Sequence, residues 1–472
     1  MGKPFQSELE HVISTFAWSI KQDTSEIRKA IVYDTKVPLL IVGSGGSLSA
    51  CYFAEYLCQV AGIFGKATTP LDLLYSKNMI HKANLLFISA SGRNTDIVYA
   101  YKTALQYEPA KILSLCMTKN NPLNKMVSEY SWNSAFGYDN PAGKDGFLAT
   151  NSLIGFFGLL FKTFYPDEQK STIKIDKDFQ KGLGHFMGRV SGDTTFTVLY
   201  AAPGKAVAFD LESKLAEAAL GNVLLSDYRN FGHGRHHWFA KRSTKSAIIA
   251  LITPQESELA MKTLSLIPKE VPILHISSSS TTPLATIGLL QKSFQFIYEL
   301  GKIQGIDPGR PGVPVFGSKL YHLSYTKFYS GREKDISENA KIAIVRKAGV
   351  GSYDSLRQTE KKNWLAAYNS FVKKISSTEF GVIVFDYDGT LCSAKDRFSG
   401  LDKEMVSELK RILSHGIIIG IATGRGQSVR QDLQRSIPSK YWGQIFIGYY
   451  NCSDIGLVGD DSRPEVAAEN DR

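Results

Sequence analysis

The chain has 472 residues, of which 43% are hydrophobic and 21% charged, and its formal net charge at pH 7 is +10. This is the composition of a soluble globular protein with two to four domains, not of a disordered or fibrous chain. Because no dense basic run with interleaved aromatic residues is present, the positive charge does not predict a partner among nucleic acids.

The cysteines and the apolar segments indicate in which cellular compartment the protein works. The five cysteines are scattered and odd in number, which suits a reducing compartment and predicts a cytoplasmic protein. The first residues contain no signal-peptide core. The most apolar stretch, residues 146–161, is interrupted by polar residues and is too short to span a membrane. We therefore expect a buried helix there and no association with a membrane.

The first third of the chain alternates apolar runs with helical spacing. One or two amphipathic helices are predicted for residues 8–32, and a helix for 48–61. Apolar runs at 39–42, 66–69, 85–89 and 112–116 predict strands between helices. This alternation predicts a doubly wound parallel sheet in an α/β domain.

Two turns rich in small and hydroxyl-bearing residues follow two of these strands. The first is Gly43-Ser44-Gly45-Gly46-Ser47, and the second is Ser89-Ala90-Ser91-Gly92-Arg93-Asn94-Thr95. Serine and threonine hydroxyls and the free N–H groups of a helix start can bind a phosphate. An ordinary Asn or Thr helix cap explains the second turn equally well. Leu48 stands where a dinucleotide fingerprint requires its third glycine, so a phosphosugar fits better than a pyrophosphate.

A similar pattern follows in the middle of the chain. Strands are predicted at 196–200, 246–251 and 273–277, and helices at 206–220 and 283–304. The first turn of this lobe lacks serines, so we expect the phosphate on the first lobe. Residues 331–378 form a charged helical bridge in which only Ile342–Val345 has a strand pattern, and a third α/β unit begins near residue 379.

The first lobe resembles the sugar isomerase (SIS) family, as found in the isomerase half of glucosamine-6-phosphate synthase and in aminosugar isomerases and deaminases. The resemblance covers residues 8–323 and is carried by Gly45-Gly46-Ser47, the turn 89–94 and Leu148-Ala149-Thr150-Asn151. It implies that the sugar phosphate binds to Ser44, Gly46, Ser47, Ser89, Ser91, Asn94, Thr95, Ala149 and Thr150. The family has threonine at the position of Asn94 and an acidic residue at that of Arg93, so the exact sugar stays open.

The second lobe carries the catalytic part of the resemblance. Lys214-Leu215-Ala216-Glu217 is similar to the family segment whose glutamate moves a proton between sugar C1 and C2. Phe231-Gly232-His233-Gly234 is similar to the segment whose histidine assists ring opening, and the sixteen-residue separation equals that of the family. Lys319 is similar to the tail lysine that contacts the open-chain sugar or forms an imine. The resemblance implies no cofactor at this site.

Ordinary structural roles remain open for these residues. Glu217 could pair with Lys214 on a helix surface, or burial on its helix could raise its pKa and make it a useful base. His233 could be a simple loop histidine. A metal site formed by His233, His236 and His237 lacks an acidic or thiol partner at ligand spacing.

The third unit resembles the haloacid dehalogenase (HAD) phosphatases. Asp386-Tyr387-Asp388-Gly389-Thr390 is similar to their first motif, and Thr423-Gly424-Arg425 ends a second apolar strand. The resemblance implies that Asp386 is a nucleophile and Mg²⁺ ligand, that Asp388 is a general acid and Mg²⁺ ligand, and that Thr423 holds the phosphoryl group. It covers only part of a phosphatase core, so we keep open an active phosphatase and a structural or binding role.

We therefore predict an α/β protein with an SIS lobe at 1–175, a second at 176–330, a helical bridge at 331–378 and a partial HAD-like domain at 379–472. The first hypothesis is a phosphosugar isomerase or aminosugar-phosphate deaminase. The alternatives are a sensor that binds a phosphosugar without turnover and a bifunctional protein with phosphatase activity. Because relatives build one active site from two subunits, we expect a homodimer.

Overall fold

The computed structural model describes residues 2–33, 37–130, 132–168, 177–324, 336–392 and 400–464. The chain divides into two compact units, Met1–Leu356 and Arg357–Arg472, which we call unit 1 and unit 2. Each unit is a mixed α/β structure built on parallel strands. The predicted lobe boundary at residues 175 and 176 lies outside the described residues.

The first sheet of unit 1 contains five parallel strands in the order β2-β1-β3-β4-β5. Its strands are β1 Leu39–Val42, β2 Gly65–Thr68, β3 Asn84–Ser89, β4 Lys111–Cys116 and β5 Ser134–Gly137. All residues of β1 and β3 are buried, because helices cover both faces of such a sheet. The α-helices of unit 1 up to Phe164 are Phe5–Ser19, Ser25–Ile31, Gly46–Val60, Pro70–Tyr75, Lys77–Ile80, Thr95–Gln106, Pro122–Val127 and Asn151–Phe164.

The second sheet contains four parallel strands in the order β7-β6-β8-β9. These are β6 Thr195–Tyr200, β7 Asn222–Asp227, β8 Ser246–Ile252 and β9 Ile273–Ser277. The α-helices after Phe164 in unit 1 are Lys177–Met187, Lys205–Glu217, Tyr228–Asn230, His237–Arg242, Ser257–Ser265, Leu284–Gln304, Val315–Tyr321 and Glu338–Ala348. Short 3₁₀ turns lie at Ala202–Gly204, Ser243–Lys245 and Tyr353–Ser355, and a π-helical turn lies at Phe231–Arg235.

Unit 2 has a four-stranded sheet with the order β10-β11-β12-β13, in which only β13 is antiparallel to its neighbour. The strands are β10 Val382–Asp386, β11 Ile418–Ala422, β12 Ile445–Tyr449 and β13 Asp454–Leu457. Its helices are Gln358–Ser377, Lys403–Ser414 and Gln427–Ser436, with a 3₁₀ segment at Ser439–Gln444.

Most predicted elements are confirmed within one or two residues, and the strands at 39–42 and 273–277 are confirmed at both ends. The apolar stretch after residue 146 forms the buried helix Asn151–Phe164. Among the described residues, no helix is long and apolar enough to cross a membrane. All five cysteines are free, and only Cys452 is exposed.

The predicted strand pattern at Ile342–Val345 is wrong, because these residues lie in the helix Glu338–Ala348. The side chain of Ser337 caps this helix by accepting from the Ala340 N–H at 3.2 Å. Ile342 is 5% exposed and joins the hydrophobic core on one face of the first sheet. A short run of β-branched residues does not distinguish a strand from a buried helical turn. Here the contact of Ile342 with the core of the first sheet favours the helix.

Candidate functional site

The two hydroxyl-rich turns lie side by side in the structure. They follow β1 and β3, which pair directly with Val42 opposite Phe87. Because the strand order is β2-β1-β3, the chain leaves these two strands in opposite directions. A crevice at such a switch point is the usual ligand site of an open parallel sheet. Both turns therefore lie at the carboxyl edge of the first sheet.

The turn after β3 uses its polar side chains to hold its own shape. Ser89 Oγ accepts from the Gly92 N–H at 3.2 Å, and Ser91 Oγ accepts from the Arg93 N–H at 3.3 Å. Asn94 Oδ1 accepts from the N–H groups of residues 96 and 97, so the helix-cap interpretation of Asn94 is confirmed. Both serine hydroxyls keep a hydrogen that a ligand oxygen can accept. Thr95, the first residue of the helix, is exposed.

The turn after β1 meets a third segment of the chain. Gly45 has a φ of +54°, a conformation that glycine adopts without strain. A Cβ on Gly46 would overlap the methyl group of Ala149, so these two backbones touch. Ser44 and Ser47, on either side of the glycines, are partly exposed. The turn after β1 and the segment with Ala149 are therefore in contact.

Thr150 does not face a ligand in this arrangement. It is fully buried, and its hydroxyl donates to the Leu148 carbonyl at 3.2 Å. The resemblance implies that the Thr150 side chain binds the substrate, but in this arrangement its hydroxyl cannot reach a ligand.

A pair of carboxyl groups beneath this segment was not predicted from the sequence. Asp145 accepts from the N–H groups of Thr150, Asn151 and Ser152 and so caps the buried helix Asn151–Phe164. Glu8, only 2% exposed, accepts from the Gly146 N–H. Burial, reinforced by the charge of Asp145, raises the pKa of Glu8 to about 7. Burial also raises the pKa of Asp145, although the hydrogen bonds from residues 150–152 lower it.

The helices Gly46–Val60 and Lys205–Glu217 pack against each other in opposite directions. The Lys205 ammonium pairs with Glu55 at 2.6 Å, and the Tyr52 and Phe209 rings lie 4.6 Å apart. One turn further along, Ser49 Oγ donates to Asp210 Oδ1 at 3.1 Å. The second helix therefore runs from Glu55 towards Ser49, that is, towards the start of the first helix, and it ends at Glu217, seven residues after Asp210.

The environment of the Glu217 side chain differs from the one predicted from the sequence. It is the last residue of its helix and is exposed, so the expected burial is wrong. Its carboxylate accepts from the Ser213 hydroxyl at 2.5 Å. The alternative pair with Lys214 is also wrong, because Lys214 is 2% exposed and its ammonium group bonds to Asp210.

The buried pair of Lys214 and Asp210 is a second feature that sequence reasoning missed. The Lys214 ammonium lies 5.3 Å from the centre of the Phe294 ring, and Asp210 Oδ2 is a buried atom without a hydrogen-bond partner. Burial raises the pKa of Asp210, while Lys214 and Ser49 oppose this rise. The only sequence signal for this pair was the four-residue spacing of two opposite charges on a predicted helix.

His233 lies at the other edge of the second sheet from Glu217. Glu217 precedes the start of β7 by five residues, whereas His233 follows its end, and six strand residues extend roughly 20 Å. His233 is exposed in a turn where Gly234 has a φ of +99°. Glu217 and His233 of the same chain are therefore not close to each other.

The neighbouring histidines do not build a metal centre. His236 Nδ1 lies 3.2 Å from the Phe231 carbonyl oxygen, and the rings of His236 and His237 are 4.9 Å apart. Within the described part of the chain, no three His, Cys, Asp or Glu side chains are grouped as metal ligands.

Lys319 lies in the helix Val315–Tyr321, which has no buried residue. The apolar side chains of this helix are exposed as well, with Val315 at 81% and Phe316 at 65%. Lys319 is therefore on a segment that the rest of the described chain does not cover.

In unit 2, the predicted phosphatase residues share one sheet edge. Asp386 ends β10 opposite Ala422, which directly precedes Thr423. Thr423 is 3% exposed, and its hydroxyl oxygen accepts from the Arg425 N–H at 3.0 Å. Both carboxylate oxygens of Asp388 are bonded by the Arg425 guanidinium.

The two carboxylates named for the predicted Mg²⁺ ion have protein partners in this structure. Asp388 is engaged by Arg425, and Asp386 Oδ2 accepts from Thr390 at 3.2 Å. Across the residues that the structure describes, no third acidic side chain joins them. Mg²⁺ usually binds through one or two carboxylates together with waters and a substrate phosphate, so the site at Asp386 and Asp388 stays a prediction.

Comparison with known proteins identifies a fold. No family model and no curated protein matches the chain. The tagatose-6-phosphate ketose/aldose isomerase from Escherichia coli has a TM-score of 0.52 and 16% identity, covering 67% of this chain and 99% of its own. The C-terminal domain of glucosamine-fructose-6-phosphate aminotransferase from Francisella tularensis has a TM-score of 0.51 and 13% identity, covering 64% of this chain and 96% of its own. The chain thus shares the α/β fold of these sugar-phosphate proteins.

Proposed function

We propose that unit 1 is a phosphosugar isomerase or aminosugar-phosphate deaminase that works on the open-chain sugar. The observation that carries this proposal is the pairing of β1 with β3 at a switch point, which sets the turns at 44–47 and 89–95 side by side as phosphate donors. The antiparallel packing of the helices Gly46–Val60 and Lys205–Glu217 supports a place for Glu217 close to the first turn. The fold shared with two sugar-phosphate proteins supports the same assignment.

The chemistry follows from the residue types. The hydroxyls of Ser89 and Ser91 and the start of the helix Thr95–Gln106 bind the phosphate. Glu217 takes the proton from the carbon next to the carbonyl group and returns it to the former carbonyl carbon, while a hydroxyl proton passes between the two sugar oxygens, which interconverts aldose and ketose. In a deaminase the same transfer between carbons converts the amine at C2 into an imine, and water hydrolyses this imine to the ketose and ammonia. His233 exchanges the proton of the ring oxygen, and Lys319 polarises the carbonyl or condenses with it.

A homodimer completes the site in this proposal. Because Glu217 and His233 lie at opposite edges of one sheet, the histidine of a complete site comes from a second copy. The exposed apolar side chains around Lys319, including Val315, Phe316 and Leu320, give such a copy a surface to cover.

The test is deuterium exchange followed by proton NMR in D₂O. The protein is mixed in turn with fructose-6-phosphate, glucosamine-6-phosphate and fructosamine-6-phosphate. We expect deuterium to enter at C1 or C2 of one of them, and the rate to fall by about 10²- to 10⁴-fold in Glu217→Gln. The matched control is Glu212→Gln on the same helix, which should exchange at the wild-type rate. Exchange that survives Glu217→Gln contradicts the assignment of the base.

The shared site has its own test. Glu217→Gln and His233→Ala variants are each expected to be inactive, and mixed dimers should recover about one quarter of wild-type activity, because half the dimers hold one intact site. Mixtures that stay inactive after subunit exchange contradict a site built from two copies.

Two alternatives have specific outcomes. Ligand-induced thermal stabilisation without any exchange favours a phosphosugar sensor.

In unit 2, Asp386 lies close to the strand end that precedes Thr423. This proximity favours a phosphoryl-binding role of unit 2 over the absence of any ligand-binding role. Magnesium-dependent phosphate release that disappears in Asp386→Asn would establish a phosphatase. Release that survives this substitution excludes Asp386 as its nucleophile.

A further inference from the structure

The sheet of unit 2 is covered on one face and largely exposed on the other in the described part of the chain. The covered face packs against the helices Lys403–Ser414 and Gln427–Ser436, whose apolar side chains share a core with the strands. Strands β10, β11 and β12 are parallel, and a sheet of parallel strands is ordinarily covered on both faces. The exposed side, which we call the open face, is therefore expected to have a partner.

The open face is apolar and contains a groove. Val384 pairs with Gly420, which pairs in turn with Phe446, so these three residues form one row across the sheet. Val384 is 68% and Phe446 is 42% exposed, and Val382 on the same face of β10 is exposed as well. Because Gly420 has no side chain, the row is lowest at its middle. A glycine within a strand often marks the place where another segment approaches closely.

The helix Gln358–Ser377 of the same unit has no buried residue, although one side of it is apolar. Its large apolar residues recur three, four and seven residues apart, as on one face of a helix. These residues, which we call the apolar stripe, are Trp364, Leu365, Tyr368, Phe371, Val372 and Ile375. Phe371 is 61% and Ile375 is 45% exposed. Because helices in proteins are stabilised mainly by packing of such a face, this helix is also expected to have a partner.

The apolar stripe and the open face match in length and in charge. The stripe extends about 17 Å along the helix, and the five-residue strands β10, β11 and β12 have about the same length. Helices on parallel sheets run antiparallel to the strands. In that orientation Lys374 comes beside Glu379, which precedes β10, and Lys362 comes beside Asp386 at its end. All four of these side chains are exposed.

We propose that the apolar stripe of a second copy packs onto the open face, so that two copies exchange this helix reciprocally. Phe371 and Val384 are both exposed in one chain, so the helix of a chain does not cover the sheet of that chain. A two-fold exchange between copies covers both surfaces of each chain at once. The contact uses unit 2 alone and is independent of the proposed isomerase.

The test is cross-linking between two engineered cysteines. One chain carries Phe371→Cys and the other Val384→Cys, and both carry Cys452→Ser because the other four cysteines are buried. The two chains are co-expressed so that mixed dimers form during assembly, and a short bismaleimide is added. We expect a covalent dimer that contains one copy of each chain.

The matched control replaces Phe371→Cys by Ser370→Cys, which lies on the opposite side of the same helix. We expect at least about tenfold less product from this control, because only the stripe position is held beside Val384→Cys. A dimer held through unit 1 alone gives equal yields from the two helix positions. Equal yields, or no product from either, therefore overturn the proposal without bearing on the isomerase.

Two further results would also contradict the exchange. With both cysteines in one chain, a cross-link within that chain would show that each chain covers its own sheet. A cross-link of Phe371→Cys to Phe371→Cys, without Val384→Cys present, would show that the stripes of two copies pair with each other. A covalent dimer from the double variant, at the yield of the mixed chains, supports the exchange.

Discussion

Single carboxyl groups in unit 1 owe their properties to the residues that surround them. Glu8 is 2% exposed near Asp145, and its Oε2 is a buried atom without a hydrogen-bond partner. Such an oxygen is costly as a charged acceptor, so the folded protein favours the protonated form. This is why the pKa of Glu8 rises to about 7.

The raised pKa predicts that stability falls with increasing pH. The folded state holds the Glu8 proton up to about pH 7, whereas the unfolded chain releases it near pH 4.5. The stabilisation is therefore complete below pH 4.5 and is lost as the pH rises through about 7. Glu8→Gln should remove this loss and stabilise the protein at pH 8 by on the order of 2 kcal/mol.

The measurement is the melting temperature of wild type and variant between pH 4.5 and 8. Glu10→Gln, at an exposed position of the same helix, is the control and should keep the wild-type pH dependence. Parallel curves for wild type and Glu8→Gln would contradict the protonated state of Glu8.

At the scale of an element, the buried helix Asn151–Phe164 depends on a residue outside it. A helix start leaves several N–H groups without partners. Asp145 satisfies those of residues 150, 151 and 152, and the charge of the carboxylate suits the helix dipole. The helix that closes the first lobe therefore begins where Asp145 fixes it.

Removing this cap should destabilise the protein measurably. We expect Asp145→Ala to lower the free energy of unfolding by about 2 kcal/mol, because buried N–H groups lose their acceptor. Asp145→Asn, which keeps one oxygen, should lose less. Urea denaturation measures both, and Asp178→Ala in the exposed first turn of the helix Lys177–Met187 is the control. A loss for Asp145→Ala no greater than for the control would contradict the capping role.

At the scale of the whole molecule, the two sheets of unit 1 are joined through paired helices and a buried ion pair. Lys214 and Asp210 are 2% and 0% exposed, and Ser49 of the other helix donates to Asp210 at 3.1 Å. The pair thus lies in the interface between the two sheets' helices. Removing one partner of such a pair costs more than replacing both, because a single buried charge is left uncompensated.

A double-mutant cycle should reveal this property. Lys214→Met or Asp210→Leu alone leaves one buried charge without its partner and should cost about 3 to 5 kcal/mol of unfolding free energy. The double variant should lie much closer to the wild type, because both charges are gone. Chemical denaturation of the four proteins gives the coupling energy. Additive losses would show that the two charges do not depend on each other.

Much of the fold was predictable because local patterns carry it. The runs at β1, β3 and β9 are apolar and bounded by turn residues, so their positions follow from the sequence alone. The short edge strands β5 and β7 were not predicted. Five of the six residues of β7 are exposed or half-buried, because the strand lies at a sheet edge, and its hydrophobic signal is correspondingly weak.

By itself the sequence determined the alternation of strands and helices, the two hydroxyl-rich turns and the cap at Asn94, because these depend on residues close together in the chain. Only the tertiary structure decided the rest. It exposed Glu217, buried Lys214 against Asp210, and placed His233 at the far edge of the sheet. Burial and helix register arise between segments more than a hundred residues apart, such as those of Ser49 and Asp210. No local pattern of residues encodes such contacts.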